Sequence, residues 1–346
     1  MSAEQDVGYP PGLDLERFAA WFADTGPGPV GGRLRADLIA GGKSNLTYRV
    51  ADATDTWIVR RPPLGHVLAT AHDMAREYRV ITALRHTDVP VPDTFAFCSD
   101  PDVLGAPFYV MEDVGGTPYR SAEELVALGE TRTRAISTAM VDTLATLHEV
   151  DPMTVGLADF GRPEGFLARQ VRRWKKQLDA SYCRELPAAV ELHARLEATV
   201  PEQSPDGIVH GDYRLDNILT DADDRLAAVI DWEMATVGDP LTDLAVLVLY
   251  QRLGNLTDSW SVADAASAPG FLHETEIIER YAARSERDLS RFGFYLALAA
   301  FKLSAILEGI HYRHLHGQTV GPGFDHVGDA IHPLLDAGLT SLKEHY

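Results

Sequence analysis

Residues 209–219 read VHGDYRLDNIL, and residues 228–233 read AVIDWE. Asp212 follows an apolar pair and a glycine, Asn217 stands five residues later before the next predicted strand, and Asp231 ends a further β-rich run. Three oxygen-bearing side chains therefore stand at strand ends that a β-hairpin would bring together. Oxygen ligands of this kind suit Mg²⁺, which proteins usually share with substrate phosphates. The pattern predicts a metal site for phosphate chemistry.

The regions on either side of these segments differ in predicted secondary structure. The early part shows helical periodicity over 13–23 and 71–85 and strand patterns over 46–50, 57–60, 94–98 and 108–111. After the Gly115-Gly116 pair, helices are predicted over 123–128, 134–149, 165–180 and 187–199, and from 241 onward. Short strands at 208–209, 218–219 and 227–230 lie between these helical regions. The sequence predicts an α+β protein with a small antiparallel sheet first and a mostly helical remainder.

The composition restricts the partners and the compartment. Acidic residues number 51 against 31 basic residues among 346, a net charge of −20 that disfavours nucleic-acid binding. The two cysteines, Cys98 and Cys183, do not make a disulfide framework. Lys302 and Ser304 interrupt the longest apolar run, so we expect no membrane span, and no secretory signal is visible. A cytoplasmic protein is the expectation.

Three motif-like features are interpreted as unrelated to nucleotide or metal binding. Residues 26–31 match G-x-G-x-x-G, but a predicted helix precedes them and prolines interrupt them. Residues 42–44 resemble the end of a Walker A loop, which would need glycine where Asp37 stands. Three histidines within 311–316 lie near a helix C-terminus, where histidines favour the helix dipole more commonly than they bind a metal.

The spacing from Asp212 to Asn217 equals that of the H-R-D-x-x-x-x-N loop of protein kinases. With its H-G-D-x-x-x-x-N loop and I-D-W-E motif, the chain resembles the aminoglycoside phosphotransferase and choline kinase family of small-molecule kinases. It resembles most closely a branch also found as the N-terminal domain of some acyl-CoA dehydrogenases. The resemblance implies a bilobal protein-kinase-like fold. Its N-lobe would span 1–111 and contain the N-terminal helix, the phosphate loop and the antiparallel sheet. A hinge would span 112–117. A mostly helical C-lobe, with the catalytic loop and the acceptor site, would span 118–346.

The resemblance also assigns the central roles. Asp212 matches the catalytic base, and Asn217 and Asp231 match the Mg²⁺ ligands. Arg60 matches the phosphate-binding lysine of the third strand, and Glu77 matches its ion-pair partner on the following helix. An arginine keeps the charge of that lysine but changes its geometry. Nucleotide binding could therefore be retained, altered or lost.

The remaining cofactor-binding positions follow from the same resemblance. The loop that covers the phosphates matches Gly41, Gly42, Ser44 and Asn45. The backbone of the hinge from Glu112 to Val114 would meet the adenine. Arg61 rivals Arg60 as the phosphate ligand, although Arg60 fits the strand register better.

A predicted helix with several basic residues is relevant to the identity of the acceptor. Arg169, Arg172 and Arg173 crowd around Trp174 in an otherwise acidic chain. They form either a solvated face or an anion site for an acceptor such as a CoA thioester. Neither the D-F-G nor the A-P-E landmark of protein kinases follows the HGD loop, which disfavours a protein substrate.

The resemblance implies a Mg²⁺-dependent transfer of the γ-phosphoryl group of ATP or GTP to a hydroxyl of a small molecule, with a hydroxyacyl-CoA as candidate. An aminoglycoside-type antibiotic kinase and a nucleotide-binding pseudokinase with a regulatory role are the alternatives. The acceptor, the nucleotide base and the oligomeric state are not identified by the sequence.

Overall fold

The computed structural model describes residues 10–28, 30–39, 45–64, 73–256, 264–319, 324–344 and 346, without the side chains of 254–256. The chain forms two compact units. The first comprises Met1–Gly115 and Ala228–Glu233, and the second Gly116–Ala227 and Met234–Tyr346. The segment Ala228–Glu233 therefore counts with the first unit, whereas its position in the chain placed it in the predicted C-lobe.

The first unit is a five-stranded antiparallel sheet with helices. Its elements are α1 (Leu15–Thr25), β1 (Arg35–Leu38), β2 (Leu46–Ala51), β3 (Thr56–Arg61), α2 (Met74–Leu84), β4 (Thr94–Cys98), α3 (Pro101–Leu104) and β5 (Phe108–Glu112). The strand order is β1-β2-β3-β5-β4. β3 thus lies at the centre of the sheet, paired with β2 and β5 along its length.

An aromatic cluster holds α1 on this sheet. Asp14 caps the helix by accepting from the N–H groups of Glu16 and Arg17. Phe22 is fully buried and meets Trp57 of β3 edge-on, with ring centroids 5.3 Å apart. The apolar spacing that predicts α1 is therefore explained by burial of one helix face.

The second unit is mostly helical. Its elements are α4 (Ala122–Leu128), α5 (Glu130–Glu149), α6 (Phe166–Ala180), α7 (Pro187–Ala198), β6 (Gly207–Val209), β7 (Ile218–Thr220), β8 (Leu226–Val229, whose last residues belong to the first unit), β9 (Thr236–Gly238), α8 (Leu241–Leu256), α9 (Glu274–Ala282), α10 (Phe292–Leu315) and α11 (Ile331–Ser341). β6 pairs with β9, which fixes the strand from which the HGD loop leaves.

α10 is the central helix of the second unit. Among the described residues it is the one helix long and apolar enough to cross a membrane by length and composition. Within its most apolar window 83% is buried inside the structure, as in the core helix of a globular protein. Lys302 lies near its middle.

The sequence patterns missed three short elements. β1 has a mostly exposed RADL sequence without alternation, and it exists because its backbone pairs with β2. α3 has four residues and β9 has three, too few for a periodicity to be read. These elements depend on partners that are distant in the chain or on local capping.

Candidate active site

The catalytic loop brings Asp212 and Asn217 together within the second unit. The Asn217 side-chain N–H₂ donates to the main-chain oxygen of Asp212 at 2.9 Å and to its Oδ2 at 3.1 Å. The amide nitrogen is thereby occupied, and the side-chain oxygen of Asn217 is the atom left for a cation. This arrangement fits the predicted division of roles between a base and a metal ligand.

Buried polar groups hold the backbone of this loop. Asp243, fully buried at the start of α8, accepts from the N–H of His210 at 2.6 Å and from that of Gly211 at 2.8 Å. The N–H of Asp212 donates to Nδ1 of the buried His210 at 3.2 Å. The loop is held through its main chain, so the direction of the Asp212 side chain follows from buried contacts.

Gly211 is required by the shape of the loop, and its replacement should destabilise the protein. Its φ is +88°, and an added Cβ would lie 2.8 Å from Cβ and the main-chain oxygen of Met234. We expect Gly211→Ala to lower the free energy of unfolding by about 2–4 kcal/mol, combining left-handed strain with overpacking. Chemical denaturation measures this.

Gly156→Ala is the matched control, because Gly156 has φ +75° and an added Cβ would meet nothing within 4 Å. It carries the conformational strain without the contact. Equal losses of unfolding free energy in the two variants would contradict the role given to the Met234 contact.

Arg214 is a neighbour of Asp212, the predicted base, that the sequence reasoning missed. Its Nη2 pairs with Asp216 at 2.5 Å, and its Nε lies 3.7 Å from Oδ2 of Asp212. The guanidinium also lies over the Tyr250 ring, 5.2 Å from the centroid. The signal was available, since Arg214 lies inside the HGD motif two residues after the base.

A second group of predicted residues lies within the first unit, around Arg60. Nε of Arg60 lies 3.1 Å from the buried Glu77 carboxylate, and Nη2 hydrogen-bonds Asp231. Glu233 is 3.8 Å from the same Nη2, and Asn45 donates to Glu233 at 2.9 Å. The structure thus brings the predicted ion pair, one predicted metal ligand and one phosphate-loop residue together.

This geometry bears on the arginine that replaces the usual lysine. A guanidinium fork can meet two carboxylates with different nitrogens, and Arg60 does so with Glu77 and Asp231. Arg61 is used differently, since its Nη1 donates to the main-chain oxygens of Gly12 and Leu104, each at 2.6 Å. Arg60 is therefore the residue placed among the acidic groups, as the strand register predicts.

Acidic side chains surround Arg60 in the described part of the chain. One guanidinium faces three carboxylates, those of Glu77, Asp231 and Glu233. Burial raises the pKa of Glu77 to about 7, with Arg60 acting in the opposite direction. The partly buried carboxylates of Asp231 and Glu233 are oxygen ligands of the kind that a divalent cation takes. In the described part of the chain, no three His, Cys, Asp or Glu residues are grouped to hold a metal by themselves.

For the other residues predicted to contact the nucleotide, the structure gives little information about that role. Gly41, Gly42 and Ser44 lie outside the described residues. Glu112 ends β5, and its exposed carboxylate accepts the N–H of Asp93 at 3.1 Å, while Val114 is partly buried just beyond. Their roles toward adenine remain predictions.

The three arginines of α6 differ in the contacts that their side chains make. The Arg169 guanidinium donates to the main-chain oxygens of Arg162 and Glu164 and therefore fastens the preceding loop. Arg172 is exposed. The Arg173 guanidinium lies over the buried Trp174 ring, 5.0 Å from its centroid. Two of the three arginines thus remain as candidates for contact with an acceptor.

A sequence profile of the phosphotransferase enzyme family matches residues 35–290, more than half of the chain. The chain belongs to this family. This phosphotransferase is 33% identical over 339 residues to acyl-CoA dehydrogenase family member 11 of Gallus gallus, covering 95% of this chain and 43% of that protein. It thus spans about two fifths of the length of that relative.

Solved structures are similar over nearly the whole chain. A candidate aminoglycoside phosphotransferase from Ralstonia eutropha is 31% identical with a TM-score of 0.84, covering 96% of this chain and 99% of its own. Two aminoglycoside phosphotransferases, one complexed with GDP and kanamycin and one with ADP and hygromycin B, have TM-scores of 0.63 and 0.58 at 15% and 16% identity. Each covers 93% of this chain and 98% of its own, and at that identity it shares the fold.

These comparisons confirm the predicted family and the kinase-like α+β fold. Membership of this family also agrees with the predicted enzyme class, a phosphotransferase. The nucleotide, the metal and the acceptor belong to the proposal that follows.

Proposed function

We propose that this phosphotransferase uses ATP or GTP with Mg²⁺ to phosphorylate a hydroxyl group of an anionic small molecule, of the hydroxyacyl-CoA class. The observation that carries the proposal is the contact between Asn217 and Asp212. It orients a carboxylate beside a free amide oxygen in a loop with the spacing used for phosphoryl transfer. The nucleotides in the complexes of two fold neighbours support the choice of ATP or GTP.

The side chains of Asn217 and Asp231 would hold Mg²⁺, through the amide oxygen and a carboxylate oxygen respectively. When bound, the ion supplies neutralisation of the phosphate charge. Arg60 would add a permanent positive charge toward the phosphates, with its guanidinium held by Glu77. These groups position the phosphates and balance their charge, which is most of what phosphoryl transfer requires from a protein.

Asp212 would act on the acceptor. Its carboxylate would accept the proton of the acceptor hydroxyl as the hydroxyl oxygen forms its bond to the γ-phosphorus. The bond from that phosphorus to the bridging oxygen breaks, and the nucleoside diphosphate leaves with the electron pair. Because Asp212 is partly exposed beside a buried loop, an acceptor can reach it without unfolding the loop.

The anionic acceptor is supported by the charges next to the catalytic loop. Lys302 of α10 donates to the main-chain oxygen of Gly211, and its ammonium lies 5.5 Å from the Trp174 ring centroid. Arg173 lies over the same ring. The Lys302 ammonium is engaged by the loop, so the exposed Arg173 is the cation left to meet an acceptor bearing carboxylate or phosphate groups within the unit that carries Asp212. A polycationic aminoglycoside would be repelled there.

Charge reversal on α6 tests the acceptor class. We expect Arg172→Glu and Arg173→Glu, made singly, to raise the KM for a hydroxyacyl-CoA about tenfold or more, since charge-assisted hydrogen bonds contribute about 1.5–3 kcal/mol. The KM for the nucleotide should not change. Steady-state kinetics with a panel of hydroxyacyl-CoAs, free hydroxy acids and aminoglycosides provides the measurement.

Lys176→Glu is the charge-matched control, because Lys176 is exposed on the same helix. An unchanged acceptor KM in both arginine variants would remove the anion site from the proposal. Turnover of aminoglycosides alone would favour the antibiotic-kinase alternative. Nucleotide binding without transfer to any acceptor would favour the pseudokinase.

A further inference from the structure

Lys302 is the charged residue in the middle of the most apolar helix of the second unit. Its neighbours Phe301 and Leu303 are buried, and Lys302 itself is partly buried. Burying an ammonium among apolar side chains costs free energy unless other groups compensate. The position therefore requires an explanation beyond packing.

The compensating groups belong to the catalytic loop and to α6. The ammonium of Lys302 hydrogen-bonds the main-chain oxygen of Gly211 and lies 5.5 Å from the Trp174 ring centroid. Burial lowers the pKa of Lys302, whereas the nearby carboxylates of Asp212 and Asp243 act in the opposite direction. Lys302 thus contributes a cation to the loop from a position 91 residues away in the chain.

The hydrogen bond acts on a particular peptide group. The C=O of Gly211 and the N–H of Asp212 belong to one planar unit. The N–H end donates to Nδ1 of His210 at 3.2 Å, and the C=O end accepts from Lys302. Asp243 binds the two preceding N–H groups. Without Lys302, the carbonyl end of the peptide that leads into the base would lose its side-chain contact.

We propose that Lys302 is a positioning residue, which holds the Gly211–Asp212 peptide and thereby aims the Asp212 carboxylate at the acceptor hydroxyl. The kinetic consequence rests on the proposed function, but the structural consequence does not. A displacement of about 1 Å at a reacting group can cost about 10²-fold in rate. A single contact with the loop backbone can therefore have a large effect on turnover.

Lys302→Met tests the proposal, because methionine keeps an unbranched side chain only one atom shorter and removes the donor and the charge. We expect kcat to fall about 10²-fold with both KM values changed by less than about twofold, the signature of a contact that matters in the transition state. Lys302→Arg, which keeps a cationic donor, should recover most of the turnover.

Hydrogen exchange provides a measurement that does not depend on transfer. In Lys302→Met the amides of 210–212 should exchange about tenfold faster, while those of α5 and α11 should not change. Lys343→Met is the control, since Lys343 is an exposed lysine of the same unit. If Lys302→Met does not fold, Lys302→Gln, an uncharged donor, takes its place with the same expectations at smaller amplitude.

The outcomes separate this proposal from the proposed function. Faster loop exchange in Lys302→Met, combined with a parent protein that phosphorylates no acceptor, would uphold the positioning role and reject the kinase function. Unchanged loop exchange, or a uniform rise throughout the second unit with a matching fall in melting temperature, would overturn the positioning role.

Discussion

Replacing Asp212 with asparagine should reduce phosphoryl transfer about 10²–10⁴-fold, the usual cost of removing an aligned general base. Asparagine keeps the size and the acceptor oxygen that meets Asn217, so the loop should retain its shape. The melting temperature and the stabilisation by nucleotide should remain close to those of the parent. Single-turnover transfer and thermal unfolding measure these quantities, and Asp212→Ala should show the same loss of transfer.

Asp223→Asn is the matched control for this substitution, because Asp223 is an exposed aspartate of the same unit. It should leave turnover at the parental level. Retention of more than about a tenth of parental turnover in Asp212→Asn would show that another group accepts the proton, because an aligned base contributes at least about 10²-fold.

Replacing Asp231 with alanine should abolish the metal-dependent stabilisation of the protein by nucleotide. In the parent, a ligand present at a hundred times its Kd stabilises the folded state by about 2.7 kcal/mol. Asp231→Ala removes a predicted metal ligand and leaves Arg60 with Glu77, so Mg²⁺ with ATP or GTP should produce little or no shift. Thermal unfolding with and without Mg²⁺, for each nucleotide, gives the comparison.

Asp102→Ala provides the control, since Asp102 is an exposed aspartate of the same unit. A full metal-dependent shift in Asp231→Ala would remove Asp231 from the metal site. The absence of any shift in the parent with either nucleotide would point to a degenerate site and direct the search toward binding partners.

The grouping of Asp212 with Asn217 could be predicted from the sequence, and the ion pair of Arg60 with Glu77 from the family resemblance. The first pair lies five residues apart in one loop, so the spacing restricts the geometry. The second depends on strand register, because alternate residues of β3 face opposite sides of the sheet. Arg60 and Arg61 accordingly make different contacts. Most helices and strands followed from periodicity for the same reason, since each buries one regular face.

Other features required the tertiary structure. Arg60 hydrogen-bonds Asp231 across 171 residues of sequence, and no local pattern records that an arginine bridges two carboxylates there. Among the α6 arginines, the sequence could not distinguish Arg169 from Arg173. That distinction depends on which main-chain oxygens of the preceding loop lie within reach of a guanidinium.

The amino-acid pattern was enough to predict the family and the α+β class, which the comparisons confirm, and to place Asp212 and Asn217 in one loop, because these depend on short-range spacing and on the burial of regular faces. The contacts that hold the loop around Asp212 were visible only in the folded chain. Lys302 interrupts an apolar run in the sequence, and only the folded chain shows that its ammonium hydrogen-bonds the main-chain oxygen of Gly211. The physical reason is that a buried cation is stable only where distant backbone and aromatic groups converge on it, and packing alone determines that convergence.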